Sequence, residues 1–171
     1  MKKGLLLLLL ALSLFACSKK SDENVRLLSA APGSKAPDFT ASDLLGKNVS
    51  LSDLAGNVVV LEFWATWCPP CRSTIPDLIA LQDRYREKKV TVLAVSVDEG
   101  QNLATKLVDF SKENNINYTI LLGNDTVTQA YKVRSIPVVF LIDKTGKIVS
   151  RHMGAGEDFA GTISSQIDKL L

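Results

Sequence analysis

Unbroken apolar runs and segments with apolar residues every three or four positions take turns along this chain. Val58 to Phe63 is apolar except for Glu62, and Val90 to Val97 and Val138 to Ile142 are similar runs. Runs of this length bounded by polar residues read as strands buried on both faces. Between them lie helical periods. From Cys71 to about Arg86 the apolar face is Ile75, Leu78, Ile79 and Leu81, with Pro76 expected to kink the helix. Leu103 to Asn114 carries Leu103, Leu107 and Phe110 on one stripe. Tyr118 to Leu122 predicts a short strand and Thr126 to Tyr131 a short helix. A turn over Asp143 to Lys147, with Gly146, joins Val138–Ile142 to an antiparallel partner, Ile148 to His152. Phe159 to Leu171 predicts a closing amphipathic helix. Upstream, "APDFTASDLLGKNVSL" reads as a hairpin turning at Leu45-Gly46-Lys47, followed by a helical turn over Ser52 to Gly56. Strands alternating with helices predict an α/β fold: a central sheet covered by helices on both faces, made mixed by the closing hairpin.

The first residues follow a different pattern. Lys2 and Lys3 precede an apolar run, Leu5 to Leu14, that is shorter than the ~20 residues a membrane-spanning helix needs. A positive start and a short apolar core suit an export signal. The run ends in Leu14-Phe15-Ala16-Cys17, which resembles a bacterial lipoprotein processing box with Cys17 as the lipidated residue. Ser18 to Ser34 is polar and then small, and reads as a tether. The expected organisation is a signal over 1–16, a lipidated tether over 17–34 and one domain over 35–171. The domain would then sit on the extracytoplasmic, periplasmic side of a bacterial membrane, held in the cell envelope by lipid.

Composition adds little until the leader is removed. The chain is 46% apolar and 22% charged, ordinary for a protein with a core. Its net charge of +2 comes from Lys2 and Lys3, so the remainder is balanced. Without a block of like charges, no nucleic-acid partner is expected. Three cysteines leave an odd thiol in an exported chain. If Cys17 carries lipid, one pair remains, Cys68 and Cys71.

That pair defines the candidate chemistry. A cysteine attacks as thiolate, and a helix start favours the thiolate because its N–H groups and aligned peptide dipoles attract negative charge. Cys68 stands at such a start and Cys71 lies three residues on, so the sulfurs can meet. Cys68 would attack a partner disulfide, and Cys71 would resolve the mixed disulfide. Pro69 and Pro70 fit a first helical turn, where the missing N–H groups have no intrahelical partner. They also remove two donors from the neighbourhood of Cys68. The expected depression of its thiol pKa is therefore modest, which favours a reductant over a strong oxidant. No cofactor and no metal is expected.

The segment "LEFWATWCPPC", Leu61 to Cys71, and the segment "VRSIPVVFLIDKTGKIV", Val133 to Val149, resemble the two signatures of the thioredoxin superfamily. The "APDF" opening, the inserted helix-strand segment from Asp98 to Leu122 and the leader match its membrane-tethered, extracytoplasmic branch, which includes reductases of cytochrome c maturation. The resemblance implies a thioredoxin-like fold with an N-terminal hairpin extension, and a protein-disulfide reductase. It implies Cys68 as nucleophile, Cys71 as resolving thiol and Pro137 in the cis form against the sulfurs. The Ile136 backbone would pair with substrate, and Trp67, Pro69 and Pro70 would border its path. Glu62 would exchange protons with the resolving cysteine, its pKa raised by burial. Two departures stand out. Thr74 occupies a position where some tethered reductases carry glutamate, and Ala94 replaces the lysine that accompanies the acid in thioredoxins. The implied partners are disulfide-bearing envelope proteins, apocytochrome c among them, and a membrane thiol-reducing electron donor, with the chain a monomer.

Two rivals follow from the same residues. A peroxiredoxin-type peroxidase shares the "APDF" opening, but its signature asks for Thr or Ser three residues before the reactive cysteine, where Ala65 stands before Cys68. A copper carrier would need His152, the single histidine, to join the two thiolates.

Overall fold

The computed structural model describes residues 30–154, 156 and 158–171. The signal, Cys17 and most of the expected tether lie outside the described residues. A two-stranded hairpin comes first, β1 (Thr40–Ser42) and β2 (Asn48–Ser50), then a 3-10 turn over Leu51–Leu54. The main sheet contains β3 (Val58–Trp64), β4 (Val90–Ser96), β5 (Thr119–Leu122), β6 (Val138–Ile142) and β7 (Ile148–Met153). Among the described residues four helices accompany them: α1 (Pro69–Arg84), α2 (Leu103–Glu113), α3 (Asp125–Ala130) and α4 (Phe159–Asp168).

The strand order is β5-β4-β3-β6-β7. β3, β4 and β5 run parallel, while β6 and β7 are antiparallel additions, so the sheet is mixed. β3 is the middle strand and all seven of its residues are buried, which explains its nearly unbroken apolar run. Its alternation divides the core in two. Val58, Val60 and Trp64 face the side covered by α1, α2 and α4, where Leu78, Leu107 and Ile163 pack. Val59, Leu61 and Phe63 face the hairpin and α3, against Phe39, Val127 and Tyr131. The aromatic rings of Phe63, Tyr131 and Phe140 stack edge-on or tilted, with centroids between 5.1 and 6.0 Å apart.

The elements follow the expected order, with boundaries moved by local chemistry. α1 starts at Pro69, two residues before the expected Cys71, because Cys68 caps it and both prolines fit its first turn. It continues through Pro76 to Arg84. The fold also takes up the chain before Lys35: Ala30 is buried, and Gly33 and Ser34 exchange backbone hydrogen bonds with Ile148 at 2.8 and 2.9 Å. The "APDF" opening is anchored by Tyr131, whose hydroxyl donates to the Pro37 carbonyl at 2.8 Å. Among the described residues no helix is long and apolar enough to cross a membrane.

Candidate active site

The site lies where β3 ends and α1 begins. Three parallel strands deliver their C-terminal ends to one edge of the sheet, the usual place for chemistry in such folds. The loop after β3 carries Thr66, Trp67 and Cys68. It is held from β4: the Asp98 carboxylate accepts the Thr66 N–H at 3.0 Å, the Thr66 hydroxyl at 2.6 Å and the Ser96 hydroxyl at 2.8 Å. Trp67, between the anchored Thr66 and Cys68, is 65% exposed, unusual for so large an apolar ring.

Cys68 is the N-cap of α1, and its Sγ accepts the Cys71 N–H at 3.3 Å. A cap side chain ordinarily serves the second or third helical N–H. Pro70 has none, so Cys71 supplies that donor. The two sulfurs are bonded, 2.11 Å apart, with Cα atoms 5.2 Å apart. Cys71 is wholly buried while Cys68 keeps 4% of its surface, so the disulfide is reachable from the Cys68 side. The Ile136–Pro137 peptide is cis. It brings the Ile136 carbonyl to 3.9 Å from Cys68 Sγ. Gly154 N–H donates to the Pro137 carbonyl at 2.9 Å. Among the described residues, the Ile136 backbone takes no backbone partner.

An acid is linked to the Cys71 backbone through Thr74. Glu62 is fully buried in the middle of β3, flanked in register by Ala94 of β4 and Val139 of β6. Its Oε1 is 2.7 Å from the Thr74 hydroxyl, which also lies 2.7 Å from the Cys71 carbonyl. Among the described residues Glu62 Oε2 is buried without a partner. Burial pushes its pKa up to about 8, against a smaller opposing effect of the Thr74 hydrogen bond. Tyr118, just before β5, also buries its hydroxyl with no hydrogen-bond partner among the described residues. Burial and the charge of Glu62 both raise its pKa.

Residues 32–151 match the AhpC/TSA family. The chain belongs to that family. Among its members with named activity, a thiol-disulfide oxidoreductase ResA of Bacillus cereus is 38% identical over 123 residues, 71% of this chain and 69% of that protein. ResA of Bacillus subtilis is 37% identical over 122 residues, 71% of this chain and 66% of that protein. Among solved structures, a putative thiol:disulfide interchange protein DsbE from Chlorobium tepidum superposes with a TM-score of 0.74 at 33% identity, covering 81% of this chain and 96% of that one. The fold is thioredoxin-like, and the chain is a thiol-disulfide oxidoreductase with its Cys68–Cys71 pair at disulfide distance.

Within this AhpC/TSA domain, Cys68, Cys71, Pro69, Pro70, Trp67, Ile136 and Pro137 gather around one edge of the sheet. Glu62 and Thr74 lie beneath it. His152 lies on β7, hydrogen-bonded to Ser150 Oγ at 2.9 Å, and its register partner is Val139. Among the described residues no group of three or more His, Cys, Asp or Glu side chains could hold a metal ion. Asp98, Thr66 and Tyr118 are the site residues that sequence reasoning passed over. The signal for Asp98 was available: polar residues just beyond neighbouring parallel strands converge. Tyr118 offered none, because its proximity to Glu62 depends on the pairing of β3, β4 and β5.

Proposed function

We propose that this chain reduces protein disulfides in the bacterial cell envelope, with Cys68 as the attacking thiol and Cys71 as the resolving one. The observation that carries this is the asymmetry of the pair. Cys68 keeps some exposure and caps a helix beside Ile136, whose backbone takes no backbone partner among the described residues, whereas Cys71 is wholly buried and its carbonyl is linked to Glu62 through Thr74. In the reduced protein, the Cys68 thiolate attacks a partner disulfide and forms a mixed disulfide. One partner sulfur leaves as thiolate. Cys71 then gives its proton to Glu62 and attacks Cys68 Sγ, forming the Cys68–Cys71 disulfide and releasing the second partner thiolate. The partner gains two electrons and the dithiol loses two. Ile136 supports an extended substrate by offering backbone groups as a sheet edge does, with Trp67 as an apolar flank.

The reductive direction is supported by the poverty of donors at Cys68 Sγ, where Cys71 N–H stands and Pro69 and Pro70 contribute none. A weakly stabilised thiolate keeps the potential low. The expected value is near that of thioredoxin, about −270 mV, and a value near −120 mV would reverse the assignment. We further propose that lipid on Cys17 anchors the domain on the extracytoplasmic face of the membrane, that a membrane thiol donor recharges it and that apocytochrome c is its substrate. Support comes from the leader pattern and the resemblance to the tethered branch.

Cys71→Ser tests the central claim. It should accumulate a covalent complex through Cys68, absent in the Cys68→Ser, Cys71→Ser double variant, and mass spectrometry of the complex would name the partner. If no such species forms with any envelope extract or model disulfide, the assignment of roles is wrong.

A further inference from the structure

The Thr74 hydroxyl sits between two groups that both want its proton. Glu62 Oε1 is 2.7 Å away on one side, and the Cys71 carbonyl is 2.7 Å away on the other. A hydroxyl carries one hydrogen and two lone pairs, and a carbonyl can only accept. Two arrangements follow. With Glu62 protonated, the acid donates to Thr74 and Thr74 donates to the Cys71 carbonyl, so both short contacts are hydrogen bonds. With Glu62 ionised, a bond between Glu62 and Thr74 requires the hydroxyl hydrogen to turn to the carboxylate. The Cys71 carbonyl then loses it. Thr74 is fully buried, so water does not replace the missing donor freely.

We propose that Thr74 is a positioning residue that supplies a donor to Glu62 while the acid is a carboxylate, and returns that donor to the Cys71 carbonyl once the acid has taken the resolving thiol's proton. This rests on the reading of Glu62 as the proton acceptor. The balance of the step is simple. The Cys71 thiol proton moves to Glu62, the Cys71 sulfur becomes the attacking thiolate, and the Thr74 hydrogen rotates without leaving its oxygen. Hydrogen bonds to a carboxylate are roughly twice as strong as neutral ones, so the hydroxyl stabilises the basic form of Glu62 more than the acidic form.

The surroundings leave this pair as the local control. α1 presents Thr74 and Cys71 to Glu62. β4 and β6 present Ala94 and Val139, which carry no charge. From the β5 side comes Tyr118, which burial keeps protonated through neutral pH. Neither Glu62 nor Tyr118 has an ion-pair partner among the described residues. A hydroxyl therefore stands where a cation would otherwise steady the carboxylate.

The experiment is single-turnover resolution of a mixed disulfide between Cys68 and a model thiol, measured from pH 5 to 10 in the full chain. Wild type, Glu62→Gln, Thr74→Val, Thr74→Ala and Thr74→Ser are compared, with circular dichroism as a check on folding. Thr74→Val should move the Glu62-dependent limb of the profile upward by about one pH unit, a tenfold loss of carboxylate below it. Thr74→Ala removes the hydroxyl without adding bulk, and should move the limb the same way if the valine variant folds poorly. Thr74→Ser keeps the hydroxyl and should lie within about twofold of wild type, a rescue that a packing role for the threonine methyl would not give. If Glu62→Gln leaves the limb in place, Glu62 is not the proton acceptor, and the proposal falls with that reading. If Glu62→Gln abolishes the limb but neither Thr74→Val nor Thr74→Ala moves it, Thr74 alone loses its role.

Discussion

Cys68 and Cys71 differ by three positions in sequence and by their place in the structure. One caps a helix and keeps a sliver of exposure, and the other is wholly buried. Cysteine reactivity follows ionisation and access, so this difference assigns them unequal work. The loop that carries Cys68 is positioned by Asp98, whose carboxylate takes three donors from Thr66 and Ser96. Asp98→Ala removes all three acceptor contacts and leaves a partly buried N–H and two hydroxyls to find water. We expect a stability loss of about 1–3 kcal/mol and slower attack on a model disulfide, checked by urea titration and exchange kinetics. Unchanged kinetics in a destabilised variant would mean that the loop is positioned by something other than Asp98. Glu62 was legible as unusual because an acid interrupts an apolar run. Its partner was not legible, since Thr74 stands twelve positions away on another element.

At the scale of elements, the first turn of α1 determines how Cys68 is solvated. Pro69 and Pro70 occupy the first two helical positions, so the cap receives one N–H, from Cys71 at 3.3 Å. Pro70→Ala restores a donor at the second position, where a cap side chain can reach it. It should lower the Cys68 thiol pKa and raise the reduction potential by on the order of 30 mV, because the reduced form gains the added stabilisation. Equilibration with glutathione measures this, and a lower potential would contradict the capping argument. The helix itself was legible from its apolar stripe. The stripe alone places its start at Cys71, and the two prolines, which fit a first helical turn after Cys68, mark the start that the structure shows.

For the whole molecule, the buried acid ties stability to pH. Glu62 holds its proton up to about pH 8 in the folded protein and to its ordinary value of 4.5 when unfolded. Between those values the native state carries a proton that the unfolded chain has lost, so stability falls as pH rises through this window and levels off above it. At about 1.4 kcal/mol per unit the change amounts to a few kcal/mol. Oxidised wild type should lose denaturation free energy from pH 5 to 8, and Glu62→Gln should flatten that slope. Parallel slopes in the two proteins would place Glu62 in a far more polar setting than the fold indicates.

Strands, helical stripes, the sheet's mixed character and the dithiol were legible along the chain, because periodicity and a CxxC spacing are local properties that survive without neighbours. The surroundings of the sulfurs came from long-range packing. Thr66 meets Asp98 across 32 positions, and Cys68 meets Ile136 across 68. Glu62 meets Thr74 because β3 and α1 pack together on one face. Contacts of this kind depend on which strand ends share an edge, and that exists only once the chain has closed on itself.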